Sequence, residues 1–216
     1  MSVRNPGSSR LVITLGSTGL VAGLVLAGVF IGTKPAIERN RAAALRAAIS
    51  ALFPETATFT GLEPEGGALA VRTAEGPPRP GTVVYRVLAE DGTALGFAVP
   101  AEGPGYMDTV GLIYGYDPAR RVIVGVEILD SRETPGLGDK IISDDRFHEN
   151  FVALEIEPEI VAVKRGKKTR PNEVDCITGA TISSEAVVAI LGRSVERWRP
   201  LLEKPTNAGP GAGVSQ

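Results

Sequence analysis

Two short stretches of this chain combine residue types and spacings suited to chemistry. In Asp175-Cys176-Ile177-Thr178-Gly179-Ala180-Thr181, a run of strand character leads into an amphipathic helix. Small residues there bring the backbone close to whatever lies at the helix N-terminus. The free N–H groups of a first helical turn, together with the helix dipole, favour a phosphate. Four hydroxyls crowd the same place, on Thr178, Thr181, Ser183 and Ser184. Ser and Thr are also good N-caps, so plain capping by Thr181 stands beside the phosphate reading. The second stretch is the loop Glu133-Thr134-Pro135-Gly136-Leu137-Gly138. Its glycines could let backbone lie against a flat ligand, or simply make turns.

Other chemistries find little support. One Cys and one His exclude an intrachain disulfide and make a zinc or iron–sulfur site implausible. Cys176 reads as a small buried hydrophobe. His148, close to Asp144, Asp145 and Glu149, reads as a surface residue and not as a proton carrier. The chain carries 23 basic and 25 acidic residues, but unevenly: residues 1–35 hold a net +3 and the remainder a net −5. The bulk therefore lacks the basic field that holds a nucleic-acid backbone, so no nucleic-acid partner is expected. A length of 216 residues suits one domain with an appendage. The 26 Gly and 16 Pro imply many turns without reaching disordered composition.

The elements that must position these residues follow from patterning. Leu11 to Gly32 is a 22-residue run without a charge, long enough as a helix to cross a hydrocarbon core of about 30 Å. Arg4 and Arg10 precede it without any acid, which places residues 1–10 in the cytoplasm and the rest of the chain outside. A cleaved signal peptide is the alternative. The run is longer than a signal's apolar region, however, and Phe30–Pro35 offers a poor cleavage site. The reading is thus a transmembrane helix over 11–33, a linking helix over 34–54 stopped at Pro54, an α+β domain over 55–200 and a flexible tail over 201–216. Gly19-x-x-x-Gly23 and Gly28-x-x-x-Gly32 would let another membrane helix approach.

Within the domain, Thr82–Ala89 and Thr93–Val99 read as strands joined by Glu90-Asp91-Gly92. Thr109–Tyr116 and Arg121–Leu129 form a second pair around Asp117-Pro118. Glu75–Gly81 reads as a loop, and Ser143–Phe151 as a short helix. Ile160–Val163 and Glu173–Ile177 read as late strands flanking the basic loop Lys164–Lys168. From Ile182 to Trp198, Val187, Ile190, Leu191, Val195 and Trp198 share one helical face. Strand runs bracketed by helices suggest an α+β fold.

Taken together, the two stretches resemble the FMN-binding domain family. That family includes the G subunit of Rnf-type ion-translocating oxidoreductases and the C subunit of sodium-pumping NADH:quinone oxidoreductases. The resemblance rests on Asp175, Thr178, Gly179, Ala180 and Thr181, on the Glu133–Gly138 loop followed by Asp139 and Lys140, and on the order of parts from Leu11 to Trp198. It is closer to the Rnf protein, because the chain is short and carries Glu-Thr-Pro-Gly-Leu-Gly-Asp-Lys.

The resemblance implies FMN joined through its phosphate to the Thr181 hydroxyl by a flavin transferase that also recognises Asp175. Thr178, Gly179 and Ala180 would hold the phosphate end. Glu133, Thr134, Gly136, Leu137 and Gly138, with Lys140 beside them, would contact the ring. It further implies electron relay on the extracytoplasmic side of the cell's inner membrane, within a complex whose other membrane subunits carry the ion path. Two other readings are an anchored FMN electron donor acting alone, and a flavin-free anchored binding or scaffold domain in which Thr181 only caps its helix.

Overall fold

The computed structural model describes residues 8–74, 78 and 81–204. Most of the Glu75–Gly81 loop and the tail from Pro205 onward lie outside the described residues, as do residues 1–7 of the expected cytoplasmic tail. The chain divides into two compact units, residues 1–44 and 45–216.

Helix α1, Ser8–Leu52, begins in the first unit and ends in the second. It continues through Pro35, so the two expected helical segments are one element. Proline forfeits one backbone bond inside a helix. The Arg-Ala-Ala-Ala-Leu-Arg-Ala-Ala sequence that follows is strongly helix-forming and sustains the element. At 45 residues the helix is about 68 Å long, more than twice a hydrocarbon core. Its best 18-residue window has a mean hydropathy of 2.0 and is wholly unburied, so the helix is long and apolar enough to cross a membrane. The hydroxyls of Ser17, Thr18 and Thr33 donate to carbonyls three or four residues earlier, which satisfies them without water.

The second unit is built on a seven-stranded antiparallel sheet. Its strands are β1 (Thr58–Glu65), β2 (Ala68–Val71), β3 (Val84–Leu88), β4 (Ala94–Pro104), β5 (Thr109–Asp117), β6 (Val122–Asp130) and β7 (Leu154–Glu155), in the order β2-β1-β3-β4-β5-β6-β7. Alternation along β5 sends Val110, Leu112, Tyr114 and Tyr116 to one core and Ile113 to another. The first core is closed by α4 (Thr181–Leu202), with Ile141 and Phe147 from α2 (Lys140–Ser143) and α3 (Asp145–Glu149). The second holds Ala48, Ile49 and Phe53 from the end of α1 and just beyond, with Leu45 and Leu52 packed beside them. A parallel pair, β8 (Val161–Val163) and β9 (Glu173–Asp175), leads into α4. The domain is α+β, as the patterning predicts.

The helix expected over Ser143–Phe151 is the shorter α3, Asp145–Glu149, preceded by the separate α2; the Asp144 carboxylate between them caps α3 by accepting from Phe147 N at 3.2 Å. The β1–β2 hairpin and β7 add strands that the local pattern does not announce. All five residues assigned to one face of α4 are buried, and α4 continues past Trp198 to Leu202.

Candidate functional site

The site is assembled where β9 turns into α4. Gly179 has φ +83°, a backbone state that side chains resist, and Ala180 N donates to Ile177 O at 3.0 Å to close the turn. Thr181 is the first helical residue. The capping position falls on Ala180, which has no side chain able to cap, and no side-chain cap is made. Thr181 therefore does not cap α4, contrary to the plain reading of its hydroxyl.

The four hydroxyls divide into two pairs. Ser184 Oγ donates to Ala180 O at 2.9 Å and accepts from Ile177 N at 3.1 Å. Ser183 Oγ donates to Glu133 Oε2 at 2.6 Å. Both serines are buried. Thr178 and Thr181 are exposed, and among the described residues neither hydroxyl makes a hydrogen bond. The uncapped N–H groups of α4 stand beside them.

Glu133, expected as a ring contact, lies buried in a hydrogen-bonded knot. It is 5% exposed. Oε1 accepts Tyr106 N at 2.8 Å and Met107 N at 3.1 Å, while Oε2 takes the Ser183 hydroxyl. One carboxylate thus ties the turn after β4, the loop after β6 and the first turn of α4. Burying it is tolerable only because three donors meet it. Gly138 is buried against this knot. Thr134 O accepts Leu137 N and Asp139 N at 3.1 and 3.3 Å, which folds the loop so that Gly136 and Leu137 face outward.

A cation completes the surroundings. The Lys140 ammonium lies 4.0 Å from where a Cβ on Gly179 would stand, so it sits against the Thr178–Thr181 turn. Asp139 Oδ1 is, among the described residues, the one buried side-chain atom without a hydrogen-bond partner. Uncapped helix N–H groups, a cation and two unspent hydroxyls fit a phosphorylated ligand.

Asp175 is half-buried on β9. Its Oδ1 accepts Lys167 N and Lys168 N at 3.1 and 3.0 Å, so it holds the basic turn in place. A cleft of about 440 Å³ opens beside it, lined in part by Arg146, Asn150, Arg165, Lys168 and Cys176. Cys176 is 4% exposed, and burial, aided by the charges of Glu185 and Asp175, pushes its thiol above the ordinary range. It is a small buried hydrophobe, as expected. His148 is half-buried at the surface, its ring nitrogens facing Val126 O at 3.1 Å and Ile142 O at 3.2 Å.

The turn Gly105–Asp108, closed by Gly105 N donating to Asp108 O at 2.8 Å, belongs to the site although no motif marks it. Its signal in the sequence is an oddity: two large apolar residues, Tyr106 and Met107, inside a glycine-and-proline turn.

A family model described as FMN-binding domain matches residues 105–196. The G subunit of an ion-translocating oxidoreductase complex from Cereibacter sphaeroides is 31% identical over 193 residues, covering 87% of this chain and 84% of that protein. The chain belongs to this G-subunit family. The corresponding G subunit from Methanosarcina acetivorans is 27% identical over 188 residues, 87% of this chain and 93% of that one. The solved C subunit of the Na(+)-translocating NADH-quinone reductase of Parabacteroides distasonis has the same fold. It matches with a TM-score of 0.55 at 23% identity, over 70% of this chain and 80% of that one. The FMN-binding match begins at Gly105 and so takes in all three segments that Glu133 ties together.

Proposed function

We propose that this protein is a membrane-anchored electron-relay flavoprotein, its FMN joined through the phosphate to the Thr181 hydroxyl. The observation that carries the reading is that Thr181 stands exposed and unspent at the uncapped start of α4. The buried serines of the same turn are already used. FMN, when bound, supplies the redox chemistry. The chain's own residues hold and orient it. A phosphodiester at Thr181 keeps one negative charge, which the α4 N-terminus stabilises by about 0.3–1 kcal/mol when exposed. Lys140 is the cation placed against the same turn. Thr178, Gly179 and Ala180 give the phosphate its cradle, and Thr134, Gly136 and Leu137 face the ring. A flavin transferase makes the bond from a flavin dinucleotide, the Thr181 Oγ–phosphorus bond forming as the phosphoanhydride breaks and the nucleoside monophosphate leaves, so no base is needed beside Thr181. Asp175 serves its recognition, with the basic turn it holds as part of the surface presented.

Helix α1 anchors the chain, with the short basic N-terminus inside and the domain on the extracytoplasmic side. The span from Leu11 to Gly32 has no ionisable residue, so the ion path belongs to partner membrane subunits of a redox-driven complex. The relatives' names as subunits of ion-translocating complexes support this assembly.

The test is flavin fluorescence in a denaturing gel. Protein made together with a flavin transferase should give a fluorescent band, and Thr181→Ala should abolish it. A band that survives Thr181→Ala and vanishes in Thr178→Ala would move the attachment. Co-purification in mild detergent with other membrane subunits, and not with a soluble reductase alone, checks the assembly.

A further inference from the structure

Among the described residues after Leu45, six large apolar side chains are exposed: Tyr106, Met107, Leu137, Ile142, Val152 and Ile182. An exposed apolar residue needs no explanation by itself, but a cluster does. Four of the six belong to the segments joined by Glu133. Tyr106 and Met107, at 59% and 64% exposure, are held by their own N–H groups to Oε1. Ile182, 57% exposed, is followed by Ser183, which is held to Oε2. Leu137 lies in the loop that Glu133 begins. A Cβ at Gly105 would collide with Glu133 Oε1 and would stand 2.7 Å from both Asp108 O and Val110 Cγ2. The turn is thus drawn tightly onto a buried carboxylate, yet its two largest side chains are turned out to solvent.

We propose that Tyr106 and Met107 form one wall of the flavin site, with Ile182 at its base beside the tether. This rests on the reading that Thr181 carries FMN. A ligand tethered at Thr181 leaves from the residue next to Ile182, and the knot holds Tyr106 and Met107 across a single carboxylate from that turn. The flavin ring is flat and largely apolar, and it gains from stacking on a phenol and from contact with a thioether. The 133–138 loop offers only Leu137 as a large apolar surface, so the 106–107 turn supplies the remaining area. Glu133 is a positioning residue for this wall.

The experiment uses full-length protein loaded by a flavin transferase, comparing wild type with Tyr106→Leu and Met107→Gln. A phenol in contact with a flavin quenches its emission. Native emission should therefore rise severalfold in Tyr106→Leu, and quenching by iodide should increase in both variants. The band in a denaturing gel should stay equal to wild type. Unchanged native emission and iodide quenching, with equal bands, would overturn the proposal and make the patch a docking face for another protein. A wild-type band that is absent would instead defeat the covalent-flavin reading itself, so the two failures are distinct.

Discussion

At Gly138 the constraint is room and not backbone freedom. A Cβ there would stand 2.6 Å from Glu133 Oε2, 2.7 Å from Ser183 Oγ and 2.9 Å from Glu133 Cβ. Gly136, two residues earlier, has φ +75° and nothing within 4 Å of where a Cβ would stand. Two glycines in one loop thus serve opposite ends: one makes the turn, the other lets a buried carboxylate reach α4. Sequence pattern shows both glycines and cannot tell them apart, because only the fold brings Ser183 to Glu133 across 50 positions. Gly138→Ala should force these groups apart and destabilise the domain by about 1–3 kcal/mol. The check is the denaturant midpoint, which should fall with an unchanged slope.

The elements legible in the sequence are those whose signals are local. The β3–β4 and β5–β6 pairs alternate cleanly around turn residues, and α4 repeats its apolar positions at helical spacing. The β1–β2 hairpin lacks such a signal: β1 contains Gly61 and Pro64, and its one fully buried residue is Leu62. Pro64 is tolerated because pairing with β3 ends at Leu62. The strand exists by virtue of its neighbours, which a local pattern does not report. For the candidate site, the Thr178–Thr181 turn is readable as a motif, while the Glu133 knot depends on long-range contacts. Helix α4 itself is not tuned throughout. Gly192 lies in its interior, and nothing lies within 4 Å of an added Cβ. Gly192→Ala should therefore stabilise the domain by about 0.5–1 kcal/mol, by removing backbone freedom from the unfolded chain. A higher melting temperature with an unchanged flavin band is the expected result, and a lower one would show hidden crowding along this helix.

Across the whole domain, the sheet buries three tyrosines, and this sets how stability responds to alkali. Tyr85, Tyr114 and Tyr116 are each at most 9% exposed. Burial pushes all three phenols above the ordinary value of 10.0. At Tyr116 the hydrogen bond to Glu203 at 3.0 Å and that group's charge push further the same way. At Tyr114 the bond with Ser194 opposes the rise, as the charge of Arg72 does at Tyr85. A raised phenol keeps its proton in the folded state after the unfolded chain has released it. The folded state then binds more protons, so stability is fully present below about pH 10 and declines as pH rises beyond it. Each tyrosine contributes a slope of about 1.4 kcal/mol per pH unit until its own raised value is reached. The melting temperature should accordingly fall as pH rises above about 10. Tyr116→Phe keeps the buried ring and leaves Glu203 with Arg121 at 3.4 Å, while removing one titrating phenol. Its alkaline decline should be shallower than that of wild type, by about one tyrosine's slope. Parallel declines in the two proteins would mean that Tyr116 loses its proton as readily folded as unfolded, and that the Glu203 contact does not hold it.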